Sequence, residues 1–214
     1  TICLAEDTVS NQLVDKKDCL FGFFECMNDY RIAERLFNFA CHWAKDHNLS
    51  ALYGPFNLDY EDGYGILVEG RDRPPAILCG HTPPYYRGFF ENYGFLPARG
   101  RNLAFGYDID ANQQALQALI KSSARVAEKK QFVIRPADFS DWEGEIDRVH
   151  GLLNRCLAHL PGHIPWQREA LQSAFMPFKQ IADPDLILFA DYEDRTIGFF
   201  PGIPDMNQVF IKVN

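Results

Sequence analysis

The chain has 214 residues, of which 47% are hydrophobic, and its formal net charge is −8 at pH 7. This length and apolar content are sufficient for one large domain or two small domains with a buried core. The negative charge argues against a nucleic-acid-binding surface, which needs clustered lysine and arginine. No apolar run approaches the roughly 18 residues of a membrane-spanning helix, so we expect a soluble protein without a membrane span.

Six cysteines are scattered through the chain, and none forms a C-x-x-C pair. In a chain of this length such scatter is typical of reduced thiols, so we expect a cytoplasmic location and no disulfide framework. The sequence begins at Thr1 inside a strand-like run and stops at Asn214 shortly after another. We therefore interpret the chain as a fragment of a longer protein.

The first part of the chain combines short apolar runs with one strongly patterned helix. LFGFFECM (20–27) is continuously apolar, which predicts a strand buried on both faces. Asn28 or Asp29 can cap the helix that follows, whose apolar residues recur at helical spacing from Ile32 to Trp43. Further along, SALYGPF (50–56) predicts a strand, LDYEDGYG (58–65) a loop, and YGILVEG (64–70) and PAILCG (75–80) are short apolar runs.

A second helix is predicted from the proline pair at 83–84 to about Tyr93. Proline suits the first turn of a helix, and Gly94 supplies a left-handed end. NLAFGYDI (102–109) alternates as a strand does.

A connecting helix and a second α/β segment follow. Residues 111–130 are helical and polar-faced, and we expect Leu116, Leu119 and Ile120 to face inward. After them come a predicted strand (131–139), a long helix (142–160), a second helix (166–182) and a hairpin, LILFADY and RTIGFF, joined by Glu193-Asp194.

Several of these stretches resemble the GCN5-related N-acetyltransferase (GNAT) family. The strand–helix–strand, followed by a helix that ends in Tyr-Gly-Phe, resembles the back half of that fold. The part after residue 131 resembles the front half of a second copy. A closer resemblance, to mostly uncharacterised bacterial proteins built from two such units, rests on GPFNLDYEDGYGILVEG (54–70), PPYYRGFFENYGF (83–95), DPDLILFADYEDRTIGFF (183–200) and PGIPDMNQ (201–208).

The resemblance spans about residues 18–210 and implies a mixed α/β fold with largely antiparallel sheets flanked by helices. Residues 1–110 would be the back part of a first GNAT-like unit, 111–130 a linker helix, and 131–214 the front part of a second unit. The resemblance also implies an acyl-CoA-dependent N-acyltransferase. Acetyl-CoA or another acyl-CoA would be the cofactor of the parent protein, and a small molecule would be the substrate.

One element of the GNAT pattern is missing. GNAT enzymes hold acyl-CoA with a strand-to-helix loop of the type Q/R-x-x-G-x-G/A, whose glycines let backbone N–H groups approach the pyrophosphate. The equivalent junction here reads CMNDYRIAERLF, and no glycine occurs between Gly22 and Gly54. Asp29 also places negative charge where phosphate oxygens would lie. We therefore expect the first unit not to hold CoA in the usual way.

Two other interpretations remain open. The missing glycine loop favours a non-catalytic GNAT-like module that binds a ligand or a partner. An unrelated α/β enzyme is the third interpretation, because a fold resemblance does not by itself establish chemistry.

The predicted second helix carries the candidate tyrosines. In GNAT enzymes a tyrosine four residues before the Gly-Phe glycine often acts as general acid, but Phe90 occupies that position here. Tyr85 and Tyr86 lie at the start of the helix, where the positive helix end could lower a phenol's pKa and favour a nearby anion. Packing of one ring in the core, with the hydroxyl of the other satisfied at the surface, is the interpretation that we favour for the two tyrosines.

The remaining candidates come from loops and strand ends. Glu69 suits either a general base or a solvated strand terminus. Asp205 and Asn207 follow a proline-rich turn, where pocket lining and turn chemistry both favour such residues. Together with Tyr85, Tyr86 and Asn57 of the Gly-Pro segment, they form our set of candidate substrate-pocket residues.

We expect no metal site. Cys156, His159 and His163 have part of a zinc-ligand spacing, but a fourth ligand is missing and Pro161-Gly162 interrupts the helix. No residue is assigned a catalytic role from the sequence.

Overall fold

The computed structural model describes residues 1–57, 65–76, 79–98, 102–108, 110, 113–130, 132–160 and 163–213. The chain is mixed α/β, as the sequence predicts. It divides into two compact units, one comprising Thr1–Arg101 with Asp205–Asn214 and the other Asn102–Pro204. Each unit contains a three-stranded sheet. The assignment of these units to parts of a GNAT fold stays a prediction.

The sheet of the first unit is built around its central strand, β2. β2 pairs antiparallel with β1 and parallel with β3, and α2 provides the crossover that parallel strands require. The elements are β1 (Cys3–Glu6), α1 (Thr8–Leu13), β2 (Asp18–Gly22), α2 (Tyr30–Asp46), β3 (Ala51–Tyr53) and α3 (Tyr86–Tyr93).

The second unit has an antiparallel sheet in the order β4–β5–β6. The predicted hairpin is confirmed: Tyr192 pairs with Arg195, and Glu193 in the turn has a left-handed φ of 52°. The elements are α4 (Gln113–Lys130), β4 (Phe132–Pro136), α5 (Trp142–Leu157), α6 (Arg168–Phe175), β5 (Ile187–Tyr192) and β6 (Arg195–Pro201). A last short helix, α7 (Asn207–Phe210), belongs to the first unit.

The ends of the first-unit helices agree with the local sequence signals. Asp29 caps α2, and its side chain accepts a hydrogen bond from the backbone N–H of Arg31 at 3.0 Å. Gly94 ends α3 with a φ of 98°, as predicted for a left-handed terminus.

Two predicted elements are shorter than expected, for backbone reasons. The run 20–27 is not a strand throughout: β2 ends at Gly22 because Phe23 has a φ of 47°, which a strand cannot continue. The helix predicted over 166–182 ends at Phe175 and continues as a 3₁₀ turn, where Pro177 cannot donate a helical hydrogen bond.

Other predicted elements are absent or face solvent. Residues 102–108 and 65–70 are irregular, since an apolar run becomes a strand only when another strand pairs with it. Leu119 and Ile120 are exposed instead of facing inward. Residues 58–64 of the predicted loop and residues 77–78 of PAILCG lie outside the described part of the chain.

Aromatic rings form the core of the first unit. Phe37 of α2 is fully buried and lies 5.0 Å from Phe24, 5.2 Å from Phe90 and 6.4 Å from Phe21, measured between ring centroids. These distances are typical of favourable stacked and edge-on ring contacts. Phe37 therefore connects α2 to β2, to the segment after it and to α3.

Replacing Phe37 by alanine should lower the free energy of unfolding by about 3–5 kcal/mol, because it leaves a large cavity among the rings. Phe39→Ala is the control, because Phe39 lies two residues away on the same helix but is 62% exposed. Apart from its effect on helix propensity, it should change the free energy of unfolding by no more than about 0.5 kcal/mol. Urea unfolding followed by circular dichroism measures both. Equal losses for the two variants would contradict the assigned core.

Candidate functional site

Three of the predicted site residues contact the backbone of one segment, residues 23–29, which we call the β2–α2 loop. Asn57 accepts a hydrogen bond from the N–H of Phe23 at 2.8 Å, through its Oδ1 atom. The hydroxyl of Tyr85 donates to the carbonyl oxygen of Cys26 at 3.0 Å. Since Phe23 has a left-handed backbone, which costs free energy in a residue with a side chain, Asn57 helps to hold an unfavourable conformation.

Tyr86 makes the most buried contact with this loop. Its hydroxyl accepts a hydrogen bond from the N–H of Cys26 at 3.0 Å. The hydroxyl proton is directed towards the Phe24 carbonyl oxygen at 3.2 Å and a Glu25 carboxylate oxygen at 3.1 Å. The Tyr86 side chain therefore fixes the loop from Phe24 to Cys26.

Burial raises the pKa of Tyr86 from its usual 10.0 to about 12. This shift is opposite to the lowering expected from the start of a helix, and loss of water around the phenol is its largest cause. Tyr86 is therefore a neutral hydrogen-bonding group at physiological pH.

The N-terminus of α2 is occupied by its own carboxylate. Arg31 donates to Asp29 through its side chain at 2.7 Å as well as through its backbone N–H. Hydrogen bonding to Arg31 lowers the pKa of Asp29, so this carboxylate stays charged. The start of this helix is thus already engaged by Asp29, whose charge is paired with that of Arg31.

At the position where the GNAT resemblance predicts a general acid, Phe90 is buried among the core rings. Tyr93 is attached to α2: its hydroxyl lies 3.3 Å from the sulfur of Cys41 and donates to the side-chain oxygen of Asn38 at 2.8 Å. Burial raises the pKa of Tyr93. Neither residue offers an acidic proton to a substrate.

The other three predicted site residues lie around a different segment, residues 65–76. Asn207 donates from its amide to the carbonyl oxygen of Pro75 at 2.8 Å, and Asp205 accepts from the backbone N–H of Asn207 at 3.2 Å. Glu69 is exposed and lies close enough to Arg87 to contribute to its raised pKa, which is due first to Glu91. The six candidates therefore fall into two groups in the first unit.

A cleft of about 330 Å³ opens beside β1 and β2, within the ~300–1,000 Å³ range of small-ligand sites. Side chains alternate along a strand, so Cys3 and Ala5 of β1 lie on the same face as Leu20 and Gly22 of β2, away from the ring core. The other residues that line the cleft are Leu4, Glu6, Asp7, Thr8, Phe21, Phe23 and Phe56.

The two ends of the cleft differ in polarity. The strand register places Cys3 opposite Gly22 and Glu6 opposite Cys19. Phe23 and Phe56 are therefore at the apolar end and Asp7 is at the polar end, while the Glu6 side chain lies on the opposite face of the sheet with Cys19. The arrangement suits a ligand with a long apolar part and a polar or cationic group.

Gly22 lets the chain close this cleft. A Cβ atom at Gly22 would overlap the carbonyl oxygen of Phe56, so only glycine permits this approach. The backbone N–H of Phe56 donates to the carbonyl oxygen of Phe21 at 2.8 Å and holds the crossing segment in place. Sequence reasoning missed the cleft, although a glycine inside an apolar strand run was a signal for a close backbone approach.

The second unit contains a compact ionic network with a structural role. Glu145 is only 4% exposed and accepts from Arg135 at 2.5 Å, from Arg148 at 3.0 Å and from the N–H of Asp138 at 2.9 Å. Arg135 also contacts Asp191 of β5 at 2.6 Å. These contacts attach α5 to the sheet and satisfy the charge of the buried Glu145.

No protein-family model and no solved structure matches the chain. Protein YghO of Escherichia coli is 24% identical over 208 residues, which are 97% of this chain and 52% of that protein. The bacterial ceramide synthase of Caulobacter vibrioides is 26% identical over 188 residues, 88% of this chain and 48% of that protein. The chain thus spans about half the length of the curated relatives it matches. In the described part of the chain, none of the helices has the length and apolar character needed to cross a bilayer.

Tyr86→Phe should destabilise the protein more than Tyr85→Phe. Tyr86→Phe leaves the buried Cys26 N–H without an acceptor, which should lower the free energy of unfolding by about 1–3 kcal/mol. Tyr85→Phe removes one ordinary hydrogen bond, which should lower it by about 0.5–1.5 kcal/mol. Urea unfolding gives the stabilities, and hydrogen exchange should show faster exchange of the Cys26 amide in Tyr86→Phe only. Equal protection of that amide in both variants would refute the assigned contact.

The raised pKa of Tyr86 also predicts a pH dependence. The folded state favours the neutral phenol, so this contribution to stability is complete below pH 10.0 and is lost as the pH rises to about 12. The stability difference between the native chain and Tyr86→Phe should therefore shrink over that window. Urea unfolding at a series of pH values measures it, and a constant difference would show that the phenol titrates normally.

Proposed function

We propose that this chain is part of an N-acyltransferase and that the cleft beside β1 and β2 receives the acyl chain. The observation that carries the proposal is the similarity to bacterial ceramide synthase over 88% of the chain. Ceramide is a fatty-acid amide of a long-chain amino alcohol, so its synthesis requires acyl transfer to an amine. The N-acyltransferase expected from the GNAT resemblance is the same class of reaction.

The cleft has the chemistry that an acyl chain needs. Leu20, Phe23 and Phe56 supply apolar surface, and burial of each methylene in such surroundings contributes about 0.8 kcal/mol. Phe23 is 45% exposed although it is large and apolar. A bound hydrocarbon chain would cover part of this surface.

The polar end suits the acceptor amine. Asp7 already caps α1 through a 2.9 Å hydrogen bond from the N–H of Ser10. The Glu6 side chain lies on the opposite face of the sheet, with Cys19, so we propose that Asp7 attracts the cationic amine through the carboxylate oxygen that does not cap α1. In the reaction the neutral amine attacks the thioester carbonyl, a C–N bond forms and the C–S bond breaks, and the departing thiolate takes up the proton that the nitrogen loses.

We propose acyl-CoA as the thioester donor, on the basis of the family resemblance. Asp29 and its partner Arg31 occupy the end of α2. We therefore place the acyl chain in the first unit through apolar contacts and do not place the diphosphate at the α2 N-terminus.

A second candidate function is binding of an acyl ligand without transfer. The observation that favours it is the combination of Asp29 at the α2 N-terminus with the buried Phe90 at the general-acid position. Mass spectrometry of the chain incubated with a long-chain acyl-CoA and a long-chain amino alcohol distinguishes the two functions. Amide product above the uncatalysed level supports transfer, and bound ligand without product supports the second function.

Filling the cleft should abolish acyl binding. Ala5→Phe places a ring among the lining residues, and we expect the affinity for a fluorescent fatty acid to fall at least about tenfold, equivalent to about 1.4 kcal/mol. Ala51→Phe is the matched control, since Ala51 is an exposed strand residue of the same sheet outside the cleft. It should bind within about twofold of the native chain. Equal affinities of the two variants would contradict the proposed acyl site.

A further inference from the structure

α4 exposes an apolar stripe. Leu119 is 64% exposed, and Ile120 and Val126 are also exposed. Leu119 and Ile120 follow the half-buried Leu116 by three and four residues, and Val126 follows Leu119 by seven, so all four lie on one face of the helix. In the described part of the chain, no other element covers the exposed residues of this face.

The opposite face of α4 is basic. Lys121, Arg125 and Lys129 are exposed and follow one another at four-residue intervals, so they form a row along the helix. Between residues 113 and 129 the only acidic residue is Glu128. This local excess of positive charge contrasts with the net charge of −8 of the whole chain.

The segment before α4 adds further exposed apolar side chains. Leu103 and Phe105 are exposed, Phe105 to 89%. Residues 102–108 form no strand or helix. We call residues 102–108 and α4 together the basic amphipathic surface.

We propose that the basic amphipathic surface binds the surface of a bilayer that contains anionic phospholipid, with α4 lying in the plane of the interface. An amphipathic helix with an apolar face and a polar face rich in lysine and arginine has the composition required for this placement. Both parts contribute, since apolar side chains enter the acyl boundary and basic side chains are attracted to anionic headgroups. Phe105 and Leu103 extend the apolar contact beyond the helix.

Membrane binding adds a partner, the anionic bilayer, to the proposed acyltransferase, and it rests on that proposed function only for the identity of the acceptor. If the acceptor is a long-chain amine, it resides in or at a membrane, and a protein docked on that surface meets it there. The charges and exposures that define the surface are independent of the cleft.

Vesicle co-sedimentation of the full chain tests the proposal. The chain should bind vesicles of phosphatidylcholine mixed with phosphatidylglycerol and bind pure phosphatidylcholine at least about tenfold more weakly. Raising the salt from about 0.1 M to about 1 M should release it, because the screening length shortens from about 10 Å to about 3 Å. Equal binding to both vesicle types, or no binding to either, would overturn the proposal.

Two sets of variants locate the surface. The triple variant Lys121→Gln, Arg125→Gln, Lys129→Gln should bind anionic vesicles roughly a hundredfold more weakly, at about fivefold for each basic residue. Its control has the same net charge and carries glutamine at Lys16, Lys45 and Lys212, and it should bind as the native chain does. Equal losses in both triple variants would show that net charge, and not this helix, governs binding.

The apolar stripe has its own pair of variants. Leu119→Ser with Ile120→Ser should weaken vesicle binding at least about tenfold through lost apolar contact. Val9→Ser with Leu13→Ser changes two similarly exposed residues of α1 and should leave binding unchanged. If the Leu119 and Ile120 variant instead converts a dimer to a monomer in size-exclusion chromatography, a second copy covers the stripe and the proposal fails.

The membrane and acyl-transfer proposals can fail separately. Ala5→Phe should retain vesicle binding, because Ala5 lies outside the basic amphipathic surface. Vesicle binding without amide formation would uphold the membrane surface and refute transfer. Amide formation without vesicle binding would support acyl transfer and refute the membrane surface.

Discussion

The packing of Phe37 against rings from three segments is the interaction on which the first unit depends. Phe37 brings α2, the end of β2 and α3 together around one buried point. Ring contacts of this size bury a large apolar area, and that burial is the main favourable term in folding. With this core in place, the hydroxyl of Tyr86 reaches the β2–α2 loop at the positions where that loop has polar backbone groups to satisfy.

The tyrosines and Asn57 therefore shape the site through hydrogen bonds to the backbone of the β2–α2 loop. Tyr86 contacts Cys26 on the buried side of the loop, while Asn57 holds Phe23 in its left-handed conformation. Phe23 turns the chain out of the strand, and its ring then lines the cleft. The aromatic core and the cleft are in this way two sides of the same sheet, one closed by helices and the other open to a ligand.

The proposed chemistry depends on this difference between the two faces of the sheet. An acyl chain needs apolar surface and little else, and the open sheet face offers it next to the carboxylate of Asp7. A diphosphate needs free backbone N–H groups, and Asp29 occupies those at the start of α2. The first unit is thus better suited to the hydrocarbon part of the proposed substrate than to its nucleotide, and in the second unit the exposed apolar stripe of α4 is the surface that we propose contacts lipid.

Local signals in the sequence determined the parts of the fold that depend on local physics. A helix cap at Asn28 or Asp29, the left-handed end at Gly94 and the hairpin turn at Glu193-Asp194 were all predicted, because each follows from the conformational preference of a few neighbouring residues. The mixed α/β class followed from the apolar periodicity of the helices and strands.

Only the tertiary structure decided how those elements are used. β2 stops at Gly22 because the next residue has a backbone conformation that the apolar run does not reveal, and the cleft requires Phe56 to cross Gly22 from a distant part of the chain. Leu119 and Phe105 carry the same apolar pattern as core residues yet are exposed. Whether a side chain is buried depends on the other elements that pack against it. The apolar periodicity of a segment shows which of its faces is apolar, but it does not show what covers that face.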